Sequence, residues 1–342
     1  MKDLLIKGMA EPFVIVMIPA YNEEDNIGKV IREIPRDIDG VKDVKVLVMD
    51  DNSIDGTAEV AKKAGADYIL RQKQNVGLGN NFKRGIDVAL KYGADIIVTI
   101  DGDGQFDAAD IPSLLKPILE QEADVVTASR FLNPSLTKNM PWIKKWGNRR
   151  FTNLVSRITG QKFSDSQCGF RAYNREAGLR INTRGKFTYT QEVFIDLLEK
   201  GMRIKEVPAH VSYDKNRKSM VSGSLSRYGF KSLGIIAKTT RDTQPLTFFG
   251  VPGMILFFLG FLGGAYSFFY WLAEHATTPV RTLLNISIFL VIAGLSLGIL
   301  GLLADMLKTI RKDQQEILYR LKKRDFTPIQ EDKIRVAKRS RA

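Results

Sequence analysis

The sequence of 342 residues contains very little cysteine or histidine, and this scarcity excludes several kinds of active site. Cys168 is its one cysteine, so the chain cannot form an internal disulfide or a thiolate metal cluster. His210 and His275 are its two histidines, which leaves little scope for a histidine metal site or a Ser-His-Asp triad. We therefore expect its chemistry to depend on carboxylates, basic side chains and bound ions.

Two nucleotide-binding motifs and a secretion signal are also missing. Gly77-Leu78-Gly79 continues into Asn80 and Asn81, so the third glycine of a dinucleotide fingerprint is absent. No Gly-x-x-x-x-Gly-Lys-Ser/Thr motif occurs, which argues against ATP binding through a P-loop. The first residues contain no long apolar segment, and this predicts that there is no signal peptide.

The chain is strongly basic, with a formal net charge of +13, but the charge is unevenly distributed. From Lys308 onward there are 12 Lys and Arg residues against 5 Asp and Glu residues, so roughly half of the excess lies there. This basic segment follows apolar stretches, a pattern typical of a cytoplasmic flank facing anionic lipid. We therefore expect a lipid bilayer as a partner, and no nucleic acid.

Two segments, Phe248–Leu272 and Thr282–Ala304, contain no charged residue. About 20 residues suffice for a helix to cross a hydrocarbon layer, so each segment is long enough to span a membrane. The alternative is a pair of buried helices in a large soluble core. The flanks 217–241 and 308–324 are basic, which predicts that the catalytic domain and both termini are cytoplasmic.

Strand-like and helix-like patterns alternate through the first 130 residues. This alternation predicts an α/β fold with a doubly wound, mostly parallel, Rossmann-like sheet, followed by an α-helical transmembrane hairpin. Polar residues follow each predicted strand: Tyr21 and Glu23, Asp50 and Asp51, Asn75, Asp101 and Asp103, and Arg130. Because ligands bind at the carboxyl ends of parallel strands, these loops indicate a nucleotide-type site.

The stretch Asp101-Gly-Asp-Gly-Gln105 follows the apolar run Ile96–Ile100, which is typical of a buried strand. Two carboxylates one residue apart can share a hard cation such as Mg²⁺ or Mn²⁺. A plain turn is the alternative, because Asp and Gly are common turn residues. The other strand-end loops favour a metal site that holds a diphosphate.

Taken in order, these motifs resemble those of family-two glycosyltransferases, which have a GT-A fold. The segments that carry the resemblance are Ile18–Glu24, Asp50–Ser53, Asp55-Gly56-Thr57, Gly77-Leu78-Gly79 and Asp101–Gln105. Over about residues 12 to 245 the chain looks like the branch of dolichol-phosphate mannose synthases and polyisoprenyl-phosphate glycosyltransferases. The resemblance implies metal-dependent, inverting transfer of a sugar to dolichyl or another polyisoprenyl phosphate. The implied donor is a nucleotide-diphosphate sugar of the GDP-mannose, UDP-glucose or UDP-GlcNAc type.

The resemblance also implies roles for residues on the donor side. Asp103 and Gln105 would hold Mg²⁺ or Mn²⁺, and Asp101 would lie close to the sugar. The implied donor-binding residues are Pro19, Ala20, Tyr21, Glu23, Asp51, Asp101, Gly102 and Asp103. The basic loop 213–223 resembles one that closes over the donor diphosphate, through Arg217 or Lys218.

A basic stretch with interleaved aromatic residues supplies the expected acceptor side. Residues 135–160 are predicted to form an amphipathic helix in the membrane interface, with tryptophans on the face opposite the cations. The alternative is a solvated charged face over ordinary core residues. Arg130 and Arg149 are the candidates for the acceptor phosphate, with Arg150 as the alternative to Arg149.

Two later motifs add candidate catalytic residues to Asp101, Asp103 and Gln105. Ser164–Arg171 resembles the family's Asp-x-x-x-Gly-Phe-Arg segment, which implies that Asp165 touches the sugar or the acceptor. Gln167-Cys168 is closer to glucosyl-type relatives than to mannose synthases, so the sugar stays open. Glu192 matches an acid beside the sugar, but it would equally cap the following helix.

The predicted organisation is a cytoplasmic GT-A domain over 1–245, two spans over 246–306 and a basic tail over 307–342. The sequence does not determine the oligomeric state, and a homo-oligomer is one possibility. One alternative function is a processive polysaccharide synthase, although the Gln-x-x-Arg-Trp motif of those enzymes is missing. The other is a non-catalytic membrane protein that binds nucleotide sugars.

Overall fold

The computed structural model describes residues 11–132, 142–182, 189–211, 241 and 244–326. The chain divides into two compact units. The first consists of Met1–Arg217 together with Leu318–Ala342, and the second is Lys218–Ile317. The predicted lid residues Arg217 and Lys218 lie outside the described residues.

The first unit is built on a seven-stranded sheet in the order β3-β2-β1-β4-β6-β5-β7. Strand β6 runs antiparallel to β4 and β5, and all the other neighbouring strands are parallel. The prediction of a mostly parallel sheet is therefore confirmed. The strands are β1 Phe13–Ala20, β2 Asp43–Asp50, β3 Tyr68–Arg71, β4 Ile96–Thr99, β5 Val125–Ser129, β6 Arg171–Asn174 and β7 Ile204–Pro208.

Helices cover the sheet, and the apolar side chains between the sheet and these helices form the core. In β1, every residue from Val14 to Ala20 is buried, as expected for a central parallel strand with helices on both faces. The helices of this unit are α1 Ile27–Glu33, α2 Thr57–Lys63, α3 Leu78–Lys91, α4 Ile111–Leu119, α5 Trp142–Thr159, α6 Arg175–Arg180 and α7 Tyr189–Glu199. Helix α3 begins directly after Gly77, where φ is +82° and the chain turns.

The order of the strands fixes the position of a crevice. Strand β1 lies between β2 and β4. The chain continues from β1 to β2 and β3 on one side, and then crosses to β4 on the other side of β1. Such a topological switch point opens a crevice at the carboxyl ends of the strands. The loops after β1 and β4 therefore flank this crevice.

The second unit contains α8 Pro245–Glu274 and most of α9 Arg281–Asp325, two long helices whose apolar parts form a hairpin. Both are long and apolar enough to cross a membrane. Their large side chains are mostly exposed, for example Phe258 at 54% and Phe289 at 69%. The alternative of two buried core helices is therefore wrong, since core helices would hide these side chains.

Helices α8 and α9 approach each other at glycines. An added Cβ on Gly260 would lie 2.6 Å from the carbonyl oxygen of Ser287, and one on Gly294 would lie 2.6 Å from that of Gly253. Backbones this close are typical of membrane helices that pack through small residues. The two helices of the hairpin therefore pack closely along one side, which we call the inner seam. Their outer surface is apolar and exposed.

Helix α9 continues well beyond the predicted end of the second span, as one helix of 45 residues. The helix is thus continuous from residue 306 to residue 307, where the predicted tail begins. Residues 318–326 belong to the unit that contains the sheet. The predicted domain limits otherwise stay predictions.

Candidate active site

The loops that follow β1 and β2 hold each other in place through hydrogen bonds. The amide of Asn22 donates to Ser53 Oγ over 3.0 Å, and the amide of Ile54 donates back to Asn22 Oδ1 over 3.0 Å. The amide of Glu23 donates to Thr57 Oγ1 over 2.9 Å. Tyr21 follows β1 with 44% of its surface exposed, and its predicted contact with the nucleotide stays a prediction.

Asp51, predicted to contact the nucleotide, connects the loop after β2 to the loop before α3. Its carboxylate accepts hydrogen bonds from the amides of Val76 at 2.8 Å and Gly77 at 2.9 Å. The amide of Asp51 donates to the carbonyl of Ala20 over 2.9 Å. The ends of β1 and β2 and the loop before α3 are thus joined through one buried residue, by its backbone amide and its carboxylate, which the sequence alone did not indicate.

The loop after β4 carries the acidic pair. Asp103 Oδ1 accepts a hydrogen bond from the Gln105 amide over 3.0 Å, which turns the chain sharply. Gly104 lies between them with φ of +68°, a conformation that favours glycine. An added Cβ on Gly102 would lie 3.2 Å from Ile27 Cδ1, so this glycine lets the loop pack against α1.

The acidic pair lies in a negative environment. The pKa of Asp101 is raised to about 6, first by burial and then by the neighbouring carboxylates of Asp103 and Glu23, while Arg130 and Arg171 oppose the change. These influences place the loops after β1, β4 and β5 around one point. A cation bound there would relieve the repulsion between the carboxylates.

The donor atoms suit a cation held jointly by protein and ligand. Within the described ranges, no group of three or more His, Cys, Asp and Glu side chains is arranged to hold a metal by itself. Mg²⁺ sites commonly use one or two carboxylates and complete the shell with phosphate oxygens. The Asp101–Gln105 loop fits that kind of site.

Arg130 and Asp165 form a close ion pair beside the acidic loop. The Arg130 guanidinium donates to both carboxylate oxygens of Asp165, from Nε over 2.6 Å and from Nη2 over 2.9 Å. Burial raises the pKa of Asp165, but the Arg130 charge and the hydrogen bonds outweigh it, so the pKa lies below its ordinary value. Asp165 has no exposed surface. Its predicted contact with sugar or acceptor stays a prediction, and the structure shows a contact with Arg130.

A buried polar network surrounds this ion pair, and sequence reasoning missed most of its members. Asn148 Nδ2 on α5 donates to Asp165 Oδ1 over 2.9 Å. Glu206 on β7 accepts from the amides of Ser164 and Asp165, both at 2.8 Å. Nothing in the local sequence marks Asn148 or Glu206, because their partners lie more than 15 residues away.

Arg171 is fully buried at the start of β6 and joins three further elements. Its guanidinium donates to the carbonyls of Ser166 at 3.0 Å and Thr190 at 2.6 Å, and Nε donates to Thr127 Oγ1 over 3.3 Å. The contact with Thr190 fixes the first turn of α7, which carries the partly buried Glu192. The choice between a sugar contact and a helix cap for Glu192 stays open.

Helix α5 has a polar inner face and a basic outer face. Asn148 and Thr152 point inward, and the Thr152 hydroxyl lies 3.1 Å from Ser166 Oγ. Arg149 and Arg150 are exposed, and Trp146 is 57% exposed with the Arg150 guanidinium 5.4 Å from its ring centroid. The expectation that tryptophan lies opposite the cations is wrong for Trp146, because polar residues occupy the inner face.

The chain is similar in sequence to known glycosyltransferases. Residues 15–178 match the model of the family described as glycosyl transferase family 2. The chain is 31% identical to a UDP-N-acetylglucosamine–dolichyl-phosphate N-acetylglucosaminyltransferase of Methanococcus voltae, over 65% of this chain and 94% of the relative. It is 32% identical to a dolichyl-phosphate hexose transferase of Haloferax volcanii, over 56% of this chain and 80% of the relative.

Solved structures share the fold. One is glucosyl-3-phosphoglycerate synthase from Mycobacterium tuberculosis in complex with UDP, which matches 70% of this chain and 82% of its own. The TM-score is 0.53 and the sequence identity is 24%. This likeness concerns the fold, and it confirms the predicted GT-A class.

Proposed function

The chain belongs to glycosyl transferase family 2, and from that premise we propose that it transfers a sugar from a nucleotide-diphosphate sugar to the phosphate of a membrane polyisoprenol. The observation that carries this proposal is the convergence of Asp101, Asp103 and Arg130 at the strand ends of a chain with a long apolar hairpin. Two relatives are named as transferases acting with dolichyl phosphate, which supports the same class of acceptor.

The donor binds across the switch point in this proposal. Tyr21, Glu23 and Asp51 contact the nucleoside, and the acidic loop after β4 meets the diphosphate. Gly102 lets this loop pack closely against α1 and so sets its position beside the donor. Asp103 and Gln105 would hold Mg²⁺ or Mn²⁺, which would supply positive charge to the leaving diphosphate.

The acceptor is a phosphate monoester, whose second pKa is near about 6. It is therefore mostly ionised at neutral pH, and no strong general base is needed. The task left to the protein is to position two phosphates and to balance their charge. Arg130 takes the acceptor phosphate, with Arg149 or Arg150 contributing from the exposed face of α5. Attack in a single displacement inverts the anomeric configuration.

The same proposal explains why a basic, amphipathic surface accompanies the hairpin. A polyisoprenyl phosphate keeps its chain in the bilayer and presents its phosphate at the interface. Exposed Lys145, Trp146 and Arg149 on α5 suit that interface, since cations meet lipid phosphates and tryptophan favours the headgroup region.

The decisive experiment is a panel of UDP-sugars and GDP-sugars with dolichyl phosphate in vesicles, using the full chain and either Mg²⁺ or Mn²⁺. We expect one donor to be used, and activity to disappear with a chelator. Asp103→Ala should lower transfer at least about 100-fold, because removing one stabilising group at a developing charge has costs of that order. Exposed Asp39→Ala is the matched control and should leave the rate unchanged. Transfer by Asp103→Ala at the normal rate would disprove the role of this loop.

A further inference from the structure

The last turns of α9 lie against α3 and α6, near the amino end of β4 and away from the loop that follows its carboxyl end. Helix α6 directly follows Asn174, which pairs with Ile96 at the start of β4. The acidic loop follows the other end of β4. The contact is therefore remote from the residues proposed to bind donor and acceptor.

An ion pair between a buried lysine and a partly exposed aspartate forms the centre of this contact. Lys322 is 7% exposed, and its ammonium group lies 2.7 Å from Asp87 Oδ1 on α3. The same ammonium donates to the carbonyl of Ile181 over 3.1 Å, just after α6. A lysine loses its hydration when it is buried, so it needs such partners. A freely solvated basic tail would not bury a lysine.

Two aromatic residues extend the contact on either side of Lys322. The Tyr319 hydroxyl is 3.1 Å from Glu176 Oε2, and the Arg180 guanidinium lies 4.2 Å from the Tyr319 ring centroid. The Phe326 carbonyl accepts a hydrogen bond from Arg175. Residues three or four positions apart are neighbours on one face of a helix, so Tyr319, Lys322 and Phe326 lie along one face at the end of α9.

The turn of α9 shortly before this contact is exposed to solvent on all sides. Residues 311–314 are all exposed, whereas Leu318 and Tyr319 are partly buried and Lys322 is buried. The burial at the end of α9 is thus separate from the packing within the hairpin.

We propose that the surface of α3 and α6 is a docking site for residues 319–326, and that this docking gives the catalytic domain a second attachment to the membrane hairpin. The role in catalysis rests on the proposed function. Residues 212–244 already connect the domain to α8. A second attachment raises the effective concentration of the membrane-embedded acceptor at the site, without any new contact to the acceptor. Docking therefore favours lipid acceptors in a bilayer over acceptors free in water.

The docking itself is tested by hydrogen exchange on the full chain in vesicles. Lys322→Ala should increase amide exchange in α3 after Asp87 and in α6 by at least about threefold, because local opening exposes those amides. Exposed Lys312→Ala is the matched control and should change nothing. Asp87→Lys combined with Lys322→Asp should restore protection. Unchanged exchange in Lys322→Ala would overturn the docking.

The role of the docking is tested by comparing two acceptors, a long polyisoprenyl phosphate in vesicles and a short, water-soluble prenyl phosphate. Lys322→Ala should lower transfer to the vesicle acceptor about tenfold and leave the soluble acceptor within about twofold, since only the first depends on effective concentration. Equal loss with both acceptors would overturn the proposed role. If the wild-type chain used neither acceptor, the proposed function would fail, and the exchange experiment would still decide the docking.

Discussion

At the residue scale, the main finding is that Asp165 binds Arg130 and is itself enclosed. The motif around Asp165 suggests an acid that meets a ligand, but its oxygens accept hydrogen bonds from Arg130, Asn148 and the amide of Gln167. These bonds orient the Arg130 guanidinium beside Asp101. We infer that Asp165 serves the site by positioning Arg130.

Replacement of Asp165 by Asn should test this role through stability and its pH dependence. Because the pKa of Asp165 is lowered on folding, its charge stabilises the folded state above about pH 4 and loses that effect as the pH falls through the folded pKa. Asp165→Asn should therefore cost about 3 kcal/mol at pH 7, the range found when a buried pair loses one partner. The cost should be the same at pH 5 and should shrink below pH 4.

Thermal unfolding in detergent measures this effect, with exposed Asp39→Asn as the control. A loss of stability that did not depend on pH would mean that packing of the side chain matters more than its charge. Steady-state kinetics add a second readout, because misplacing Arg130 should raise KM for the acceptor more than KM for the donor.

At the scale of elements, the inner seam of the hairpin depends on glycines at particular positions. Gly253, Gly260 and Gly294 allow the backbones of α8 and α9 to approach, whereas Gly298 has nothing within 4 Å of an added Cβ. Glycines occur at several positions in the apolar segments of both helices. Their apolar character predicts a membrane hairpin, but it does not indicate which glycines lie at the seam.

Gly260→Ala should therefore destabilise the hairpin, whereas Gly298→Ala should not. The new methyl group on Gly260 would press on backbone atoms of Ser287 and Val291, which cannot rotate away. Overpacking of this kind costs about 1–3 kcal/mol. The melting temperature of the full chain in detergent should fall for Gly260→Ala and stay within about 1 °C for Gly298→Ala. Equal melting temperatures would show that α8 and α9 separate easily at this point.

At the scale of the whole molecule, the proposed topology places the hairpin tip outside and the catalytic domain in the cytoplasm. The basic flanks of the two spans carry this proposal. This orientation can be tested by labelling cysteines that are introduced into the chain. The single native cysteine, Cys168, does not interfere, because its side chain is 1% exposed and burial raises its pKa to about 12. The wild-type chain should therefore not react with a maleimide.

Thr277→Cys at the tip should be labelled by a membrane-impermeant maleimide in intact cells. Gln314→Cys, which is exposed on α9 beyond the span, should be labelled only after the membrane is permeabilised. Because a charged reagent does not cross the bilayer, the two results together fix the side on which each position lies. Labelling of Gln314→Cys in intact cells would reverse the proposed orientation.

The sequence by itself determined the sheet class, the order of the strand-end motifs and the existence of two long apolar helices. These features depend on patterns within short stretches, such as the apolar run before Asp101 or the uncharged segment 248–272, so the chain carries them locally. The tertiary structure decided which distant groups meet. Asp165 meets Arg130, Asn148 and Glu206, and Lys322 meets Asp87, because the folded backbone brings together residues 17 to 235 positions apart. No local pattern encodes such partners, since a buried charge is satisfied by whatever the fold places beside it.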